Sequence, residues 1–384
     1  MHANSMEERL SGNRKIEEAI VQVKEDPSDK NYRNLLETMQ TQIAEKRCVL
    51  VPIEQKRADD GAELTSFRAV QYENERYLAA FTSLEELQKG ASTEYTAYDI
   101  RLFLDVVEDT ADVSGAVLNP WNEPYVLYPE TVRILRENSL LHEAVHYAVQ
   151  KHAGQYRKGT VMPYIGHPLE TMQILNSMGA EIPLQIAGVL HDTLEDTTAD
   201  EAELELLFGK EICRMVKMHS EDKNKSWEER KQQTITELQN AGKAFKMLVM
   251  ADKVSNLRSL LRDYTAEGDA LWERFNRPKE KQAWYYSKIQ DALYDMQNYP
   301  DTAPVYWEMV GLYKDIFVTY YLNQSATALY QQNAEGDCYV LYKGDTAWYL
   351  YEHVVPGNAA QVKRYYAEHL EDNWAEKEIG GSVR

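Results

Sequence analysis

Three short polar strings in the middle of the chain hold residue types that could act on a phosphoryl group. The first is Gln155-Tyr156-Arg157-Lys158-Gly159-Thr160, followed by Pro163-Tyr164-Ile165-Gly166-His167-Pro168. The second is His191-Asp192-Thr193-Leu194-Glu195-Asp196, and the third is Ala251-Asp252-Lys253-Val254-Ser255-Asn256-Leu257-Arg258. Residues four apart on a helix lie one turn above each other, so His191 lines up with Glu195 and Asp192 with Asp196. If His191 and Asp192 held a divalent cation, Glu195 and Asp196 would lie about one turn, roughly 5 to 6 Å, further along, near enough to manage a water at that cation. Asp252 and Asn256 share a face in the same way, and a cation at Asp252 would bring the Asn256 amide within reach of a ligand's oxygens.

A site of two imidazoles and two carboxylates suits Mn²⁺, Fe²⁺ or Zn²⁺, and ligand type alone does not choose among them. Such an ion lowers the pKa of a water and neutralises charge growing on phosphorus during in-line attack. The Arg157 guanidinium can clamp phosphate or stack on a base, while Lys158 offers a mobile point charge. Each string has a plainer reading: a hydrogen-bonded loop histidine, surface charge, a solvated last helical turn. An acidic pair buried at the end of an apolar helix is costly unless paired or metal-bound, and the coincidence of three strings favours catalysis. His142 and His146 share a face of a helix that also leads to His152, but no carboxylate at suitable spacing completes a second metal position there.

The elements that must position these strings fall into three stretches. Residues 1–45 are charged and helix-prone, and Cys48 to Ile53, Tyr77 to Phe81, Gly115 to Pro120 and Tyr125 to Tyr128 read as strands. Thr82-Ser83 places a hydroxyl cap before a short helix, giving a small α/β domain that ends near residue 136. From about 138 to 298 the pattern is almost wholly helical, with Pro183 opening a helix from Leu184 to Glu195 and another periodic stretch from Leu248 to Leu261. The remainder reads as a helix around Tyr313 to Leu322, then strands at Tyr339–Tyr342 and Ala347–Tyr351 joined by a Gly344-Asp345 turn. The fold class expected is multidomain α+β: an α/β domain over 1–136, a helical domain over 137–300, and a helix plus β-hairpin region of unknown role over 301–384.

The 384 residues carry 62 acidic against 42 basic side chains, a net charge of −20, which disfavours general nucleic-acid binding. Cys48, Cys213 and Cys338 are far apart and never in CxxC spacing, so neither a disulfide framework nor a thiolate zinc site is expected, and a cytoplasmic setting fits them. No signal peptide and no membrane span is expected, since no run of about 18 apolar residues occurs.

The order Arg-Lys-Gly with Pro-Tyr-Ile-x-His-Pro, then His-Asp-Thr-x-Glu-Asp, then Ala-Asp-Lys-x-x-Asn-Leu-Arg resembles the hydrolase domain of the RelA/SpoT alarmone enzymes and the stand-alone small alarmone hydrolases. These are HD-domain phosphohydrolases, and the resemblance covers about 160 residues. It implies an all-α helical bundle, Mn²⁺ held by His167, His191, Asp192 and Asp252, and a Glu195-Asp196 pair that positions and deprotonates the attacking water. It also implies contacts of Arg157 and Lys158 with guanine and phosphates and of Asn256 with the ribose-phosphate region, and a small-molecule nucleotide substrate, (p)ppGpp, cleaved to GDP or GTP and pyrophosphate. The strings Tyr77 to Leu87 and Gly115 to Trp121 resemble the N-terminal region of the SseB-like family; that resemblance supplies no catalytic residue. Nothing beyond residue 300 resembles the synthetase domain of the long bifunctional members, so a hydrolase without synthetase is expected. The flanking parts leave two alternatives: another nucleotide, such as an adenosine alarmone in an antitoxin-like role, or a non-catalytic sensor. A protein partner or self-association through the N-terminal domain is a further expectation.

Overall fold

The structure is a computed structural model that describes residues 3–57, 63–90, 93–322, 328–332, 338–342 and 349–350. It divides into two compact units, Met1–His146 and Tyr147–Arg384. No helix among the described residues is long and apolar enough to cross a membrane.

In the first unit, helices Ala3–Leu10, Asn13–Glu25 and Asp29–Ala44 precede two small sheets. Strand Cys48–Arg57 is flanked antiparallel by Glu63–Phe67 and Tyr95–Asp99. The second sheet runs Ala69–Tyr72, Glu75–Ala80, Ala116–Leu118, Tyr125–Leu127, and its middle pair is parallel, with Leu78 opposite Ala116. A parallel pair needs a crossover, and the helices Leu84–Gln88 and Ile100–Asp109 lie within it. Ser83 caps the first by accepting from the Glu86 amide at 3.3 Å, and Asp99 caps the second by accepting from the Arg101 and Leu102 amides at 2.9 and 3.3 Å. Val49, Val51, Leu78, Ala80, Phe103 and Leu118 belong to one buried cluster. Its buried polar groups are tied to structure: the Asn13 amide donates to the carbonyls of Cys48 (2.7 Å) and Thr82 (2.9 Å), while Asn119 Oδ1 accepts from the Thr82 amide at 3.0 Å.

The second unit is built around helix Lys243–Glu267, which is buried without interruption from Phe245 to Ser255. Burial on every side is what an element packed against several neighbours requires, and this one packs against Gly166–Ser177, Ile182–Leu190 and Ala303–Phe317. A consequence is that Asp252 and Lys253, midway along it, are carried into the core. An antiparallel sheet follows, in the order Tyr349–Leu350, Cys338–Tyr342, Ala328–Gln332, Thr319–Leu322.

Two expectations change. The helix expected through Glu195 ends at Leu190, and a turn at His191-Asp192 separates it from the single turn Thr193–Asp196. Side chains capture the carbonyls at its end: His191 Nδ1–H donates to Gly188 O at 2.8 Å and Thr193 Oγ1–H to Leu190 O at 2.7 Å. The helix expected around Tyr313 to Leu322 stops at Phe317, and the β-branched and aromatic run Thr319–Leu322 pairs as a strand with Ala328–Gln332. The Gly344-Asp345 turn lies outside the described residues.

Candidate metal centre

Four elements deliver the central side chains. His167 sits in the first turn of Gly166–Ser177, His191 and Asp192 occupy the turn after Ile182–Leu190, Asp252 lies mid-helix in Lys243–Glu267, and His219 closes Lys210–His219. His167 Nε2 lies 3.2 Å from Asp252 Oδ1 and 3.6 Å from Asp192 Oδ2. His191 Nε2 lies 2.9 Å from Asp192 Oδ2 and 3.8 Å from Asp252 Oδ1. His219 Nε2 lies 3.2 Å from Asp252 Oδ2. All five are buried or nearly so: the imidazoles of His167 and His191 are 2% and 0% exposed, and the His219 side chain 9%.

Two of these imidazoles are held with one nitrogen facing the carboxylates. Ser255 Oγ donates to Glu170 at 2.7 Å, which leaves it to accept from His167 Nδ1–H at 2.8 Å. Glu170 is fixed in turn by Arg258, which also grips Glu308. His191 is pinned through its Nδ1–H on Gly188 O, which turns its buried Nε2 towards Asp192 Oδ2 at 2.9 Å. Imidazoles fixed at the far nitrogen, with the near nitrogen aimed at carboxylates, are the arrangement that binds metal. His167, His191 and Asp252 lie close enough to share one ion, as do His191, Asp192 and His219. The residues present therefore fit a divalent cation, with mixed nitrogen and oxygen donors suited to Mn²⁺, Fe²⁺ or Zn²⁺.

Charge follows the geometry. Burial works against ionisation of Asp192, but His191 and His167 outweigh it and hold the carboxyl well below the usual range. Asp252 is likewise held low against burial, by Lys253, His167 and His219. Burial pulls His191 down, yet Asp192 and Asp252 more than offset this and push it up to about 9. Burial dominates at His167 and His219, which are lowered and neutral. Tyr164 donates its hydroxyl to Asp192 Oδ2 at 2.6 Å; burial and that carboxylate together raise its pKa.

The other residues singled out in the sequence surround this core. Glu195, Asp196, Lys158 and Asn256, together with Arg230 and Lys231, which the sequence did not single out, help to line a cavity of about 480 Å³ that reaches His167, Asp192 and Asp252. That is enough room for a nucleotide-sized ligand. Glu195 is raised above an ordinary carboxylic acid, first by burial and then by the charges of Glu221, Asp196 and Asp192, against a backbone N–H from Glu221. Asp196 is more open and accepts from Lys223 at 2.9 Å. Arg157 donates to Asn256 Oδ1 at 3.0 Å and lies over the Tyr164 ring at 5.7 Å, while the exposed Lys158 lies over Phe275. Their loop is tied by Arg157 N–H to Met162 O and Thr160 N–H to Arg157 O, and turns at Gly159 with φ of +73°, where a side chain would also press on Arg274. His152 is buried, bonded to Gln155 and packed on Tyr164.

His219 is the residue that the sequence reading missed. It stands alone at the end of an amphipathic helix, with no chemical partner nearby in sequence, and only the fold brings it to Asp252.

Comparison with known proteins bears on this geometry. Residues 144–279 match the model of the HD domain, and residues 16–133 that of the SseB protein N-terminal domain. Guanosine-3′,5′-bis(diphosphate) 3′-pyrophosphohydrolase MESH1 of Danio rerio is 37% identical over 135 residues, spanning 34% of this chain and 73% of that protein. The chain belongs to this HD-domain hydrolase family. The human protein of the same description is 38% identical over 137 residues, 34% of this chain and 75% of its own length. A GTP pyrophosphokinase rsh of Brucella ovis matches over a shorter stretch, 44% identical over 78 residues that make up 20% of this chain and 10% of that enzyme. The chain is thus a hydrolase with a candidate His/Asp cation cluster, preceded by an SseB-like segment.

Proposed function

We propose that the chain removes pyrophosphate from the 3′ position of guanosine tetra- and pentaphosphate, leaving GDP or GTP. The observation that carries this reading is the buried convergence of His167, His191 and Asp252, with Asp192 beside His191, next to a nucleotide-sized cavity that His167, Asp192 and Asp252 help to line, in a member of this family. Those four side chains would hold the cation, Mn²⁺ in this reading, which supplies positive charge against the developing phosphoryl charge and makes water easier to deprotonate. Glu195 has its proton affinity increased by burial and takes one proton from the attacking water. The water oxygen bonds to the phosphorus next to the ribose 3′ oxygen, and the bond between that phosphorus and the 3′ oxygen breaks. The 3′ oxygen picks up a proton to become a hydroxyl, and pyrophosphate leaves carrying the oxygen from water. Asp196 orients the water from the cavity wall, Arg157 and Lys158 take the base and phosphates, and Asn256 takes the ribose-phosphate region.

Incubating the purified chain with Mn²⁺ and guanosine tetraphosphate, then separating the products by ion exchange, should give GDP and pyrophosphate in equal amounts, and chelator should stop the reaction. Absence of pyrophosphate with Mn²⁺, Fe²⁺ and Zn²⁺ alike would end this reading.

A further inference from the structure

Three imidazoles stand edge to face in a row, His167 to His191 at 5.0 Å and His191 to His219 at 4.9 Å between ring centres. They are not equivalent. The far nitrogens of His167 and His191 donate to Ser255 and to Gly188 O, which turns their near nitrogens towards the carboxylates of Asp252 and Asp192. The far nitrogen of His219, Nδ1, is buried and has no partner. A proton there would be an orphaned donor, whereas a proton on Nε2 meets Asp252 Oδ2 at 3.2 Å. Asp252 is correspondingly divided between its two oxygens. Oδ2 faces donors, the Lys253 ammonium at 2.7 Å and His219 Nε2, while Oδ1 faces the two metal-type imidazoles and accepts from the Asn256 amide at 2.6 Å.

We infer that His219 is a positioning residue: its Nε2–H, with the Lys253 ammonium, occupies Asp252 Oδ2, so that Asp252 meets the cation through Oδ1 alone. This rests on the cation-binding part of the reading above. A carboxylate with two hydrogen-bond donors on one oxygen cannot swing to present both oxygens without leaving those donors unpaired in a buried site. His219 therefore acts on the orientation of Asp252 and not as a fifth ligand.

The tautomer can be read without any cation. Nitrogen-15 spectra of the histidine-labelled, chelator-treated chain should show His219 protonated at Nε2, and an Nδ1–H tautomer would overturn the assignment. Titration with Mn²⁺ gives a second readout. His219→Gln, whose amide can still donate to Oδ2, should keep the Mn²⁺ Kd within about threefold, while His219→Ala should weaken it about 10- to 100-fold. Equal losses in the two variants count against positioning. Pulsed electron paramagnetic resonance of the Mn²⁺-loaded wild-type chain should detect two coordinated imidazole nitrogens, and three would make His219 a ligand. A chain that binds no Mn²⁺ would sink the proposed function, while the cation-free tautomer would still decide the placement of the His219 proton.

Discussion

Both units bury polar side chains, and they treat them in opposite ways. In the first unit Asn13, Thr82 and Asn119 spend their donors on backbone carbonyls and on one another, tying Cys48 at the start of its strand to Thr82 just past the end of another. In the second, His167, His191, Asp192 and Asp252 are aimed at one point, with carboxylates held ionised in the interior. Burial of polar atoms is therefore not itself a mark of function; the mark is ionisable groups from separate elements that the fold buries and orients towards one point.

Substitutions at each end of this contrast should separate it. His191→Ala removes one imidazole of the cluster, and the largest effect expected is loss of Mn²⁺ binding and a fall in turnover of at least about 100-fold, read by calorimetry and pyrophosphate release. Full activity in that variant would show that the cluster is only structural. Glu195→Gln should leave Mn²⁺ affinity nearly unchanged and lower kcat about 10²- to 10⁴-fold, since it deletes a proton acceptor and no ligand. In the first unit, Asn119→Ala should destabilise the fold by about 1–3 kcal/mol in denaturant titrations, with kcat unchanged, because it strands the Thr82 amide. A change in kcat there would blur the distinction between the two units.

The sequence exposes the parts of the site whose chemistry is local. Asp252-Asn256 stands out because its spacing on a helix is meaningful before any fold is known, and the apolar periodicity around Asp252 already marks a helix; His191-Asp192 stands out by residue type, although it falls in a turn. Four strands of the first unit are legible for a similar reason, as runs of Val, Leu and aromatic residues bounded by turn signals, while Glu63–Phe67, Ala69–Tyr72 and Tyr95–Asp99 carry no such run and are not. What is hidden depends on distant pairing or on competition for backbone groups. His219 reaches Asp252 across 33 residues of chain and carries no signal of its own. The break at His191 arises because side-chain donors capture helix carbonyls, an outcome that apolar spacing alone does not encode. The segment Thr319–Leu322 becomes a strand because a partner strand is available, so helical spacing leading into it overruns.

The account depends most on a cation shared by side chains from separate helices, and diffraction from crystals of the full chain grown with Mn²⁺ tests this directly. An anomalous difference peak is expected at a point about 2.0 to 2.3 Å from His167 Nε2, His191 Nε2, an oxygen of Asp192 and Oδ1 of Asp252. Four side chains splayed apart with no peak among them, or a peak bound elsewhere, would contradict it.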